Sequence, residues 1–197
     1  MAKREEILER SLEVIAREGY RGASVKELAD AVGLSQAGLL HYFDSKEELF
    51  TEVLRKRDEQ DSRSFGSDRP EDPTALRDGF VAVIRHNADV PGLVQLYSRL
   101  AVDAADPTHP AHRYFLQRSD GLRTGFAEAL AAMQREGRLT SAVEPDTLAR
   151  IIVAVADGLQ LQWMQDSTID MAAHIEALFQ ALDPTATTSP ADAEAAR

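Results

Sequence analysis

The sequence contains no cysteine. The chain can therefore form no disulfide, offer no thiolate to a metal and use no cysteine as a nucleophile. Aromatic residues are scarce at 6%, and Trp163 is the single tryptophan. The charged N-terminal segment has no apolar signal core, and no apolar run approaches the ~18 residues of a membrane span. These absences predict a soluble, cytoplasmic protein with no membrane partner.

Sequence patterns for catalysis are also missing. No pair of acids, nucleophile arrangement or phosphate-binding loop stands out from the background. His109 and His112 are three residues apart, but His109 adjoins Pro110 at a loop edge, which disfavours a shared metal. The segment 110–136 mixes polar, aromatic and apolar residues in a way that favours a long helix with a solvated face. We therefore expect no enzyme activity, no metal and no cofactor.

The net charge of −11 is distributed unevenly along the chain. Residues 1–57 hold 10 Lys and Arg against 11 Asp and Glu, a balance of −1, whereas residues 58–197 hold 12 against 22, a balance of −10. The strongly acidic part, residues 58–197, is called the body here, and it cannot lie along DNA. The near-neutral part, residues 1–57, is called the head, and it can bind DNA if its basic residues share one face.

Apolar residues recur with helical spacing along nearly the whole chain, and we find no convincing strand and no repeat, so the fold class is predicted as all-α. Gly19 is placed to end the first helix and Gly33 to end the second through a positive φ. Ser24–Glu27 and Ser45–Glu48 match the capping box that opens a helix. Residues 64–73 are polar and predict a loop. Further helices are predicted at about 74–89, 92–104, 110–136, 145–166 and 170–182.

Two short helices separated by a turn that holds one glycine, Gly33, are typical of a helix-turn-helix. In that motif the first helix braces across the phosphate backbone and the second enters the major groove. Ser35 would cap the second helix, which we expect to run through Phe43. Leu39 and Phe43 are four residues apart and would anchor it to the core. The residues left facing outward are Gln36, Ala37, Leu40, His41 and Tyr42.

This stretch resembles the TetR family of bacterial transcriptional regulators over about residues 5–55. The rest of the chain resembles the family only as a run of helices of suitable total length. Two positions depart from the family pattern: Leu40, where the family commonly has a tyrosine that touches DNA, and Gly38, where a small hydroxyl residue is common. The resemblance is carried by Ser24, Leu28-Ala29, Val32-Gly33-Leu34-Ser35, Leu39 and the run from His41 to Leu49.

The resemblance implies an N-terminal three-helix DNA-binding domain over residues 1–50 and a helical ligand-binding and dimerisation domain over residues 51–183. The composition of residues 184–197 predicts a disordered tail. As a family member the chain would be a homodimeric repressor that binds a palindromic double-stranded operator and is released by a small-molecule effector. The alternatives are an enzyme or a protein-interaction module that carries a helical head, or a DNA-binding activator.

Residue chemistry and motif position together predict the DNA contacts. The Gln36 amide can pair with adenine, although a solvated surface amide is the plainer interpretation. Lys46 lies in the first turn of a helix, where its interaction with the helix dipole is unfavourable. A lysine at this position is explained if it binds a DNA phosphate. Leu40 stays open between a core position and a thymine-methyl contact, and His41 and Tyr42 could pack as aromatics instead. The predicted set is Ser24, Lys26, Ser35, Gln36, Ala37, Gly38, Leu40, His41, Tyr42 and Lys46.

Two further sets of residues are predicted in the body. Bulky or polar residues on its helices are candidates to line an effector pocket, for a ligand whose charge the sequence leaves open: His86, Tyr97, Phe115, Arg118, Phe126 and Trp163. The segment 145–166 has a bare strip at Ala154 and Gly158, where another helix can approach closely. An intrachain contact would also fit this strip, but the resemblance favours a dimer interface shared with 170–182. That interface is predicted to contain Ile151, Ala154, Val155, Gly158 and Gln162.

Overall fold

The computed structural model describes residues 2–65 and 72–184. The described residues form α-helices and no β-strand, which confirms the all-α prediction. The helices are α1 (Ala2–Gly22), α2 (Val25–Ala31), α3 (Gln36–Leu39), α4 (Lys46–Phe65), α5 (Pro73–Asn87), α6 (Pro91–Asp103), α7 (His112–Arg135), α8 (Pro145–Gln165) and α9 (Met171–Ala181).

Two glycines interrupt the N-terminal helices as predicted. Gly19 has φ of 77° and ψ of 165°, which breaks α1 one turn before its last residue. Gly33 has φ of 67° and turns the chain between α2 and α3. A residue with a side chain rarely adopts these angles, so glycine defines both breaks. The five later helices begin and end within two residues of their predicted bounds.

The predicted length of the third helix is wrong. The helix α3 ends at Leu39 rather than at Phe43. Leu40 caps it with φ of −71° and ψ of −1°, and the N–H of Tyr42 bonds back only three residues, to the carbonyl of Leu39. Ser45 already caps the next helix, and Phe43 is buried within the turn. The chain therefore turns through residues 40–44 instead of continuing as a helix.

The contacts divide the described chain into two compact units. The first unit contains residues 2–65 and 86–118, and the second contains residues 72–85 and 119–184. Helices α5 and α7 contribute residues to both units. The functional division at residue 50 stays a prediction. Residues 66–71 of the predicted loop and residues 185–197 of the predicted tail lie outside the described residues.

The first unit has a core that is continuous from α1 to the start of α7. Helix α1 packs against α2, α4 and α6, and α2 packs against α3. The second and third helices are held by the side chains that face this core. The fully buried members include Ile7, Ile15, Leu28, Leu39, Phe43, Leu49, Phe50 and Leu96. Because α3 is anchored by Leu39 and followed by buried Phe43, its opposite face is left for solvent.

The second unit has a core of its own among α5, α7, α8 and α9. Phe80 and Phe126 meet edge to face with ring centroids 4.9 Å apart. Helices α8 and α9 pack against each other. The backbone N–H of Thr140 donates to the carbonyl of Leu182 at 2.8 Å, which fixes the chain after α7 to the end of α9.

Candidate nucleic-acid interface

The first capping box forms as predicted. The Ser24 hydroxyl accepts from the backbone N–H of Glu27 at 3.3 Å, and the Glu27 carboxylate accepts from the backbone N–H of Ser24 at 2.7 Å. The hydrogen bond from the Ser24 backbone lowers the pKa of Glu27 below its ordinary value. Ser24 is therefore both the cap of α2 and an exposed residue at its start.

Helices α3 and α4 are also capped by serine hydroxyls, with one difference at α4. The Ser35 hydroxyl accepts from the N–H of Gly38 at 3.0 Å, and the Ser45 hydroxyl accepts from the N–H of Glu48 at 3.0 Å. The Glu48 carboxylate, however, accepts from the N–H of Asp44 and not from that of Ser45. The α4 box therefore closes one residue early and also fixes the end of the turn that follows α3.

Side chains of the α3 region point outward as the sequence predicts. All five of the residues predicted to face outward are exposed: Gln36, Ala37, Leu40, His41 and Tyr42. Ser24, Lys26, Ser35 and Lys46 are exposed as well. Gly38 is half-buried, and a Cβ on it would lie 3.2 Å from the Ser35 hydroxyl, closer than most Cβ contacts in proteins. The exposure is confirmed, and the DNA contacts themselves stay predictions.

The cations of the head differ in whether a carboxylate neutralises them. Of the ten Lys and Arg in residues 1–57, seven form ion pairs: Lys3, Arg4, Arg10, Arg17, Arg55, Lys56 and Arg57. Among residues 2–65 and 72–184, Lys26 and Lys46 make no ion pair, and the side chain of Arg21 lies outside the described residues. The Lys46 ammonium lies 5.1 Å from the centroid of the Phe50 ring. Among the head side chains that the structure describes, the two cations without a carboxylate partner thus both belong to the predicted DNA-binding set.

Three of the six effector candidates meet in the first unit. The rings of Tyr97 and Phe115 lie 5.3 Å apart, and the Arg118 guanidinium lies 4.9 Å from the Tyr97 ring centroid. Arg118 also donates to both oxygens of Asp58, at 3.1 and 3.2 Å, and Asp58 accepts from the Tyr114 hydroxyl at 2.6 Å. This group, the Asp58 cluster, ties α4 to α6 and α7.

The sequence did not single out Asp58 as the partner of Tyr114 and Arg118, because residues 56 and 60 positions apart carry no local signal of contact. Burial and the neighbouring charge of Asp58 raise the pKa of Tyr114 above its ordinary value. Burial also raises the pKa of Asp61, one turn along α4 from the cluster, although Arg57 opposes the shift. An open cleft of about 530 Å³ borders the cluster and is lined by Arg118, Tyr114, Asp58 and residues of α4.

The other three effector candidates are not members of this cluster. His86 is 3.8 Å from the Asp89 carboxylate, and its ring lies 5.4 Å from that of Phe65. Phe126 and Trp163 are buried in the second unit. A cleft of about 420 Å³ in the second unit has an apolar floor of Val81, Met133, Leu139 and Phe179, and none of the six candidates lines it. Neither of these two clefts is lined by the whole predicted set.

One face of α8 is open along its length. Ile151, Ala154 and Gln162 are exposed, and Val155 and Gly158 are half-buried. A Cβ on Gly158 would meet no atom within 4 Å, so the bare strip makes no close intrachain contact there. Leu161, which the sequence analysis missed, is 49% exposed one turn from Gly158. A leucine at this position would ordinarily be expected in the core, so its exposure could not be predicted from its residue type.

The two histidines considered as a metal pair serve the backbone instead. Nδ1 of His109 accepts from the N–H of Ala111 at 3.1 Å, and Nδ1 of His112 lies 2.8 Å from the carbonyl of Ala104. In the part of the chain that the structure describes, no three His, Asp or Glu residues are grouped to hold a metal. Within those same residues, each helix is too short or too polar to cross a bilayer.

Helices α2 and α3 are capped, are joined by a turn at Gly33, and leave one face of α3 exposed. This arrangement in an all-α chain defines a helix-turn-helix regulator. Residues 7–53 match the sequence model described as "Bacterial regulatory proteins, tetR family". This match assigns the N-terminal helix-turn-helix domain to the TetR family of transcriptional regulators.

Proteins of the same kind match over most of the chain. It is 28% identical over 158 residues to the HTH-type transcriptional repressor AcnR of Corynebacterium diphtheriae, covering 79% of this chain and 78% of that one. It is 27% identical over 160 residues to the HTH-type transcriptional repressor Rv1474c of Mycobacterium tuberculosis, covering 80% of each. A crystal structure of a TetR-family regulator from Agrobacterium tumefaciens has the same fold, with a TM-score of 0.71, 20% identity and coverage of 92% and 98%.

Proposed function

We propose that this chain acts as a homodimeric repressor that binds a palindromic operator and leaves it when a small molecule binds the body. The observation that carries the proposal is the position of Lys26 and Lys46, the described cations of the head that lack an ion pair. A cation whose charge is uncompensated within the protein is available to a phosphate, whereas an ion-paired one is not. A regulator of this kind acts on the chromosome, so we place it in the cytoplasm.

The roles of the interface residues follow from their chemistry. Lys26 and Lys46 hold phosphates, together with the hydroxyls of Ser24, Ser35 and Tyr42. Gln36 presents an amide that can pair bidentately with adenine in the major groove. Ala37 and Gly38 keep α3 slim enough for its backbone to approach the bases. His41 lies beside Tyr42 with ring centroids 6.1 Å apart, at the edge of the same surface.

The open face of α8 supports the dimer. Ile151 and Leu161 are 43% and 49% exposed, and the strip between them holds Ala154 and Gly158. Small residues let two helix backbones approach closely, and burial of the flanking apolar side chains stabilises the contact. We place Val155 and Gln162 at the border of this interface. The two-fold axis of such a dimer makes the operator palindromic, with half-sites about 34–36 Å apart or a multiple of that distance.

The effector acts through its preference for one conformation. A ligand releases DNA only if it binds the form that cannot bind DNA more tightly than the form that can. Operator DNA must then weaken the ligand by the same factor, which is about 5–150-fold for typical couplings. Tyr97, Phe115 and Arg118 are the candidate effector contacts that the structure brings together, and Asp58 joins them to α4, the helix that begins at Lys46.

Selection of duplexes from a random DNA library with the full-length protein tests the proposal. We expect enrichment of one two-fold symmetric sequence that the protein binds far more tightly than random DNA. The same duplex then serves to screen metabolites by the fluorescence of Trp163. A true effector raises the melting temperature and also releases the duplex. Recovery of no sequence, or of one without symmetry, contradicts the proposal, and a ligand that saturates the protein without affecting duplex binding contradicts its effector part.

A further inference from the structure

The surface formed by the predicted DNA-binding residues of the α3 region contains an exposed leucine. Leu40 is 40% exposed, while its neighbours Leu39 and Phe43 are 0% and 2% exposed and carry the contact with the core. The core interpretation of Leu40 is therefore wrong. A single exposed apolar residue is common on protein surfaces, so its meaning depends on which groups surround it.

Leu40 lies beside the amide that we expect to read a base. The N–H of Leu40 donates to the carbonyl of Gln36 at 2.9 Å, so the two residues are one helical turn apart. Side chains at this spacing share a face, with Cβ atoms about 5–6 Å apart. Neighbouring base pairs are stacked about 3.4 Å apart. An isobutyl group next to Gln36 therefore reaches the same base pair as the amide or one of its neighbours.

The major groove offers one apolar group to such a side chain. Base edges there present hydrogen-bond donors and acceptors, and the exception is the 5-methyl group of thymine. Cytosine gains an identical group when it is methylated at C5. A leucine placed against a bare donor or acceptor would desolvate it without replacing its hydrogen bond, which is unfavourable.

We infer that Leu40 reads the 5-methyl group of a pyrimidine, in thymine or in 5-methylcytosine, next to the base that Gln36 reads. This inference rests on the proposed function, because it needs the α3 surface to lie in the major groove. It adds that operator affinity depends on a single methyl group in each half-site. It also adds that methylation of a cytosine at that position would strengthen binding.

The test is a double-mutant cycle that combines a substitution of Leu40 with the removal of one methyl group from the DNA. In a duplex selected as above, each thymine is replaced in turn by uracil, which removes only the methyl group. For the wild type we expect one position per half-site where the replacement weakens binding about fourfold, the effect of one buried methyl group. Leu40→Ala removes the contact from both subunits of the dimer, so it should bind the thymine duplex about 16-fold more weakly and should not distinguish uracil from thymine. Leu40→Met, which keeps an apolar side chain, should retain the discrimination.

A second arm separates the two sources of the methyl group. With a C·G pair at the sensitive position, 5-methylcytosine should bind the wild type about fourfold more tightly than cytosine and should bind Leu40→Ala equally. Leu116→Ala is the matched control, since Leu116 is an exposed leucine on α7, and it should keep the full discrimination.

Three results would overturn the inference. The wild type could be indifferent to uracil at every thymine, or Leu40→Ala could keep full discrimination, or the discrimination could be lost in Ala37→Gly and not in Leu40→Ala. In these cases a selected duplex still exists, so the proposed function survives. If selection recovers no duplex, the proposed function fails and the Leu40 assignment fails with it.

Discussion

At the residue scale, the sequence predicted which side chains of the motif face outward but not which cations are neutralised. Helical spacing is a local property, so it places Leu39 inside and Gln36 outside; Phe43 is buried as expected, although the helix ends before it. The ion pairs that occupy most head cations join residues as far apart as Arg4 and Glu52, whose N–O distance is 2.9 Å. Such pairs depend on tertiary packing and leave no local pattern.

The difference between paired and unpaired cations leads to a prediction. Lys26→Gln and Lys46→Gln should each weaken binding to the selected duplex and to random DNA alike. Each should lower the slope of log affinity against log salt by about 0.9 per subunit, which corresponds to one lost phosphate contact. Titrations at several salt concentrations measure this slope.

The matched control is Arg10→Gln, which removes the same charge from an exposed residue of α1 whose guanidinium is 2.7 Å from Glu13. It should leave the slope unchanged. An equal loss in all three variants would mean that the head attracts DNA through its total charge, and would remove the reason for assigning Lys26 and Lys46.

At the element scale, local signals fix where most helices begin and end. Capping residues and glycines predicted α2 and the start of α4, and the later helices agree within two residues. The end of α3 could not be predicted in this way, since Leu40 and His41 are compatible with a helix, and a helix that continued to Phe43 would also place that residue on the face of Leu39. The close packing of α6 on α1 was also beyond sequence analysis, because Gly92 is far from Ile15 along the chain.

Gly92 provides a stability prediction. A Cβ on this residue would lie 2.0 Å from the carbonyl oxygen of Ile15 and 2.7 Å from Cα of Gly19. Both atoms belong to the backbone of α1 and cannot rotate away, so Gly92→Ala must push the two helices apart. We expect it to lower the free energy of unfolding by about 3 kcal/mol, the upper range for overpacking. Urea denaturation followed by circular dichroism measures the change.

Gly121→Ala is the control for this substitution. Gly121 lies within α7, and a Cβ there would meet no atom within 4 Å. Alanine favours a helix over glycine by about 0.8–1.0 kcal/mol, so this variant should be stabilised. Equal stability of Gly92→Ala and the wild type would contradict the close approach of α6 to α1.

At the scale of the whole molecule, composition and the motif predicted an all-α regulator, and the effector site is what the sequence left open. The six candidate residues were chosen for their chemistry, but residues that line one cleft must come together from distant segments. The structure joins Tyr97, Phe115 and Arg118 and leaves Phe126 and Trp163 in the other unit. For the dimer, the sequence indicated the bare strip at Ala154 and Gly158, and the structure adds the exposed side chain of Leu161 beside it.

The central claim is that two chains, joined through α8, bind one two-fold symmetric DNA site. Sedimentation velocity of the wild type with the selected duplex tests it most directly. We expect a dimer in the absence of DNA and a complex that contains an even number of chains per duplex. Gly158→Arg places a long charged side chain in the interface, and should sediment as a monomer and bind the duplex at least a hundredfold more weakly, because a single head neutralises about half as many phosphates. Gly121→Arg, at an open helical position, should remain dimeric and bind normally. A wild-type complex with one chain per duplex, or a Gly158→Arg protein that stays dimeric and binds as the wild type does, would contradict the account.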